Sequence, residues 1–175
     1  NALRRQKKYQ RAVKDFERVC ELRPGNTSAW LAEAVCHIRL GKNEHALKRC
    51  RLGLLATDNN ARLVSMEARL LGTLSTASPD ELRGVLERLQ KVLADSRNLE
   101  FVESRAMVLA ALNRYPEAQQ LQRDMIAAAR QAGEEKIARR LLKNLENYSR
   151  GEPAVDPWPE SESPVDASPA GSAPR

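Results

Sequence analysis

Aromatic residues make up only 4% of the 175 positions and histidine occurs twice, so little is available for a base-stacking surface or a histidine-built metal centre. No run of about 18 apolar residues is present, which excludes a hydrophobic transmembrane helix from this stretch. Strand signals are sparse too. There is no glycine-rich phosphate loop, no nucleophile elbow and no paired-cysteine zinc spacing. These absences leave no catalytic residue, cofactor or metal to expect, and an enzyme is not expected. The chain opens at Asn1 without Met or a secretory pattern and enters a helical pattern partway, so residues are expected to precede it.

What is present is helix-forming. Leu, Ala, Arg, Lys, Glu and Gln dominate, and the 42% apolar content is enough for a core. The composition changes near Gly151: six of the nine prolines follow it, with Ser, Ala and no helical period, so residues 152–175 are expected to form a disordered tail. The tail carries five acids against Arg175, a net of −4, so residues 1–151 carry 28 − 18 = +10.

A spacing recurs along the body. Moving 34 residues takes Ala12 to Ala46, Phe16 to Cys50 and Asn26 to Asn60; moving a further 72 takes Trp30 to Val102, Ala34 to Ala106 and Ala46 to Ala118. Since 72 is two periods plus four, the third unit holds four extra residues, expected in the turn-rich stretch LSTASPD at 74–80. Each unit reads as two antiparallel helices. In the second, Thr27 or Ser28 is expected to cap a helix running through Ile38, Gly41 breaks it, and Glu44 to Leu55 forms the next. Ala34, Ala46, Ala106 and Ala118 let paired helices approach, while Trp30, Leu47, Leu54, Leu109 and Leu121 supply buried area.

The chain resembles the tetratricopeptide repeat family, with the Ala- and Arg-rich style of bacterial members. The resemblance rests on Tyr9, Ala12, Phe16 and Pro24 in the first unit, on Trp30, Ala34, Gly41 and Ala46 in the second, and on Ala106, Tyr115 and Ala118 in the fourth. Departures are Glu33 where the family has Leu, Gly53 where it has Ala, and Asp58 where it has Pro. The third unit is degenerate but keeps a stripe of Val85, Leu86, Leu89, Val92 and Leu93. The family implies an all-α, right-handed solenoid of antiparallel helix pairs, with units at 1–26, 27–60, 61–98 and 99–132. The first unit then lacks most of its first helix. Ile137, Leu141, Leu145 and Tyr148 share one face of residues 134–150, which resembles the capping helix that closes such arrays.

The resemblance implies a non-catalytic adaptor or assembly scaffold whose concave groove takes a peptide or helix. The family's groove positions correspond to Leu31, Val35, Arg39, Arg62, Ser65, Arg69, Glu103 and Met107, which would suit an acidic ligand with apolar anchors. The carboxylate clamp of chaperone-binding members is incomplete, with Ala32 and Met66 in its places and only Arg62 fitting. Trp158, in VDPWPE, offers a way for the tail to dock on the basic body. Nucleic acid is the alternative partner: KRCR at 48–51 and ARR at 138–140 are basic, but acids are interspersed and no stacking aromatics accompany them. His37 and His45, eight apart across a turn, could form a metal or acid-base pair but read more simply as packed or solvated helix residues. Cys36 and Cys50 fall on facing helices, with Cys20 on the helix before. Pairing stays open, although the odd count and apolar positions favour buried thiols. Cytoplasm and bacterial periplasm both remain open.

Overall fold

The computed structural model describes residues 2–95 and 98–158. Among these residues there are eight helices and no strand: α1 Ala2–Leu22, α2 Thr27–Arg39, α3 Asn43–Ala56, α4 Ala61–Leu71, α5 Pro79–Asp95, α6 Leu99–Ala111, α7 Tyr115–Gln131 and α8 Glu135–Ser149. Residues 159–175, most of the expected disordered tail, lie outside the described residues. The described part of that tail, 152–158, has no helix, and Ala154, Pro157 and Trp158 within it are buried.

The repeat is written in the helix ends. Asn26, Asn60 and Asn98 each precede the first helix of a pair, and each side chain accepts from a backbone N–H, of Ala29, Arg62 and Glu100 respectively. Asn26, rather than Thr27 or Ser28, is therefore the cap of α2; its amide oxygen reaches a free first-turn donor while Thr27 already lies in the helix. The pairs α2–α3 and α6–α7 are joined by three-residue turns, 40–42 and 112–114. Gly41 and Asn113 stand at φ +69 and +61 there. Lys42 N–H returns to His37 O at 2.9 Å and Arg114 N–H to Leu109 O at 2.8 Å, the bonds that close a left-handed helix end. The α4–α5 turn, 72–78, has seven residues instead of three, so the four extra residues sit there. Ser78 and Glu81 end that turn with a reciprocal cap: Ser78 N–H donates to Glu81 Oε2 at 2.9 Å and Glu81 N–H to Ser78 Oγ at 3.3 Å.

The described chain divides into two compact units. The first comprises residues up to 58, helices α1 to α3, together with Trp158. Here α2 packs against both α1 and α3, and every residue from Ala29 to Ile38 is buried. Ala34 and Ala46 are fully buried at the α2–α3 contact, where larger side chains would hold the helices apart. The second unit, residues 59–157, holds α4 to α8. Within it α4 packs on α5 and α6, α6 on α7, and α7 on α8. Its core takes Leu63, Leu70, Val85, Leu89, Leu109 and Leu141, all nearly inaccessible, while Leu121 is half-buried.

Candidate partner-binding site

Three of the expected groove positions lie on α2, in the first unit. Leu31 and Val35 are buried, and Arg39, in the last turn, is partly exposed. Arg39 Nη1 donates to the main-chain carbonyl of Trp158 at 2.6 Å, and the Trp158 side chain is itself buried, 4% exposed. A charged donor on a carbonyl oxygen is among the stronger hydrogen bonds available to a chain that has no regular structure of its own.

The same helix carries a buried charge. Glu33 is fully inaccessible, and Arg49 of α3 holds both of its oxygens, Nη2 to Oε2 at 3.0 Å and Nε to Oε1 more closely still. Arg49 also lies over the Trp30 ring, 4.9 Å from its centroid. Burial pushes the Glu33 carboxyl up, but His37 and Arg49 beside it outweigh burial and hold it below the ordinary range. His37 is buried and stacks on the exposed His45 at 6.0 Å. Cys20, Cys36 and Cys50 are buried thiols, none in a disulfide; burial pushes the Cys20 thiol up to about 12 and that of Cys36 to about 11. Such thiols are unreactive at neutral pH.

The other five positions lie in the second unit. Arg62 is exposed at the start of α4. Ser65, Arg69, Glu103 and Met107 are all buried. Ser65 Oγ and Ser104 Oγ stand 2.7 Å apart, Arg69 Nε donates to Ser104 Oγ at 3.1 Å, and Arg69 Nη2 donates to Glu103 Oε2 at 3.0 Å. From α8, Arg140 donates to both oxygens of Glu103, at 2.7 and 3.0 Å. Burial would raise the Glu103 carboxyl; Arg69 and Arg140 more than offset it and hold the group low. Four of the five thus form a buried set, and Arg62 is the one at the surface.

Arg49 and Arg140 are the residues that sequence reasoning misplaces. Both fall in basic clusters suited to nucleic acid, yet each is committed to a buried glutamate. The available signal is Glu33, a charge at an apolar repeat position, which requires a buried partner. Ser104 and Arg140 carry no sequence signal as partners, because the contacts that use them join residues 35 to 39 positions apart.

The family model described as tetratricopeptide repeat matches residues 3–70. No curated protein and no solved structure matches the chain. Among the described residues no helix is long and apolar enough to cross a membrane.

Proposed function

We propose that this chain, a tetratricopeptide repeat protein, is a non-catalytic adaptor or assembly scaffold that holds a peptide or helix on the first helices of its pairs. The family implies protein partners. The observation that carries the finer reading is the Arg39 contact. An arginine at a groove position holds the main-chain carbonyl of a tryptophan that is flanked by Pro157 and Pro159 and buried. Main-chain capture beside a buried aromatic anchor is how extended segments are recognised, so the Trp158 segment stands where a ligand would and competes with it. Leu31 and Val35 shape the same helix. In the second unit Arg62 is the groove position at the surface, while Ser65, Arg69, Glu103 and Met107 are buried on α4 and α6.

A labelled peptide of residues 152–166 tests this on the whole chain. Binding is expected to the Trp158→Ala chain, whose own segment has lost its anchor, about tenfold tighter than to the wild type, and Arg39→Glu should abolish it. Equal binding to all three chains would mean that the site lies elsewhere. The same variants then serve as baits in a lysate. A protein captured more strongly by Trp158→Ala and lost with Arg39→Glu supports the reading, whereas nuclease-sensitive capture would favour a nucleic-acid ligand.

A further inference from the structure

We propose that Glu17, Glu33 and His37 form a binding site for one divalent first-row transition metal ion, Zn²⁺ by donor type, where α1 packs on α2. Among the described residues these three place their ligand atoms within 4.8 Å of one another. Two donors bound about 2.1 Å from one tetrahedral ion stand about 3.4 Å apart. His37 Nε2 and Glu33 Oε1 are 3.8 Å apart, too far for a hydrogen bond and close to that spacing.

The independent sign is His37. It is 7% exposed, and neither ring nitrogen has a hydrogen-bond partner. Buried imidazoles ordinarily sit within hydrogen-bond reach of a partner, whereas here Glu33 Oε1 stands 3.8 Å from Nε2, a gap that leaves room for an ion between them. The helical register supports the arrangement: Glu33 and His37 are four apart on α2 and therefore share a face, and Glu17 meets them from α1.

The surrounding charges are compatible with a cation. Arg49 takes two acceptor positions on Glu33 and the Cys20 thiol a third, but an ionised carboxylate has about four, so one remains for an ion. Glu17 brings the second negative charge and is only half-buried, which leaves an entry path. From α1, the Cys20 thiol is the other titratable group close to Glu33; from α3, His45 stacks on the His37 ring. One nitrogen and two oxygens, with a fourth position left to water, is a donor set that Zn²⁺ and Co²⁺ accept. Pairing His37 with His45 alone hides the site, because the partners lie on α1 and one turn back on α2.

Calorimetric titration of ZnCl₂ into the untagged, chelator-treated full chain tests the site. One ion per chain is expected, with affinity falling at least about tenfold in His37→Gln and again in Glu17→Gln, and changing less than about twofold in His45→Asn. Zinc should raise the melting temperature of the wild type and not of the two ligand variants. Glu17→Gln removes a half-exposed carboxylate, so it keeps the test decisive if His37→Gln fails to fold. No binding to the wild type, or binding indifferent to Glu17→Gln in a folded chain, overturns the proposal.

Discussion

Gly53 has no Cβ, and Trp30 occupies the room one would need. A Cβ at that position would lie 2.8 Å from Trp30 Cγ and 3.0 Å from its Cβ, below any normal contact. The Trp30 ring cannot retreat easily, because its Nε1 donates to Pro24 O at 2.7 Å and Arg49 covers its face. Gly53→Ala is therefore expected to destabilise the first unit by about 1–3 kcal/mol despite the better helix propensity of alanine. Urea unfolding followed by Trp fluorescence measures it, and an unchanged midpoint would show that the ring can move. The other two departures from the repeat pattern have equally local reasons. Asp58 stands at φ +49 and is followed by Asn59 at +58, a conformation that proline, held near −65, cannot adopt. Glu33 replaces a core leucine because Arg49 is there to neutralise it. Each departure is visible as an oddity in the chain; its cause is not, since Trp30 and Gly53, or Glu33 and Arg49, meet only after the helices pack.

At the scale of the helix, the ends are more legible than the faces. The spacing places Gly41 at a helix stop, and a left-handed residue does end α2 there. The recurrence of Asn26 at Asn60 marks the caps, although the neighbouring hydroxyl residues are the more obvious candidates in the sequence. The degenerate third unit nevertheless forms α4 and α5, because Leu82, Val85, Leu86 and Leu89 bury a continuous stripe. Gly84 lies on the opposite side of α5, exposed, and a Cβ added to it would meet nothing within 4 Å. Gly84→Ala is expected to stabilise the chain by up to about 1 kcal/mol, the reverse of Gly53→Ala, because only the unfolded-state entropy changes. A denaturant midpoint that falls would mean that α5 has a contact on that side.

At the scale of the molecule, charge sorts into two populations: solvated arginines and lysines, and arginines enclosed with glutamate. Glu103 belongs to the second, with Arg69 and Arg140, and its carboxyl is held below its ordinary value of 4.5. A carboxylate depressed in the folded state binds fewer protons than the unfolded chain does. Its stabilisation is therefore complete above about pH 4.5 and is lost as pH falls through the lower, folded value. Unfolding free energy should decline more steeply below that point in the wild type than in Glu103→Gln, which should also be weaker at pH 7, where Arg69 loses its countercharge. Parallel curves for the two chains, measured by urea unfolding between pH 3 and 7, would assign the acid sensitivity to other groups.

The sequence by itself determined the periodic part of this protein: helices rather than strands, their pairing through short turns, the four-residue insertion, and the small residues at α2–α3 and α6–α7. Those features are set by neighbours three, four or 34 positions along one chain, and such spacings survive in a string of letters. The tertiary structure decided which charges are enclosed, why Gly53 and Asp58 break the pattern, and that Trp158 meets Arg39 from 119 residues away. These depend on which faces approach and how much water they exclude, and periodicity carries neither quantity.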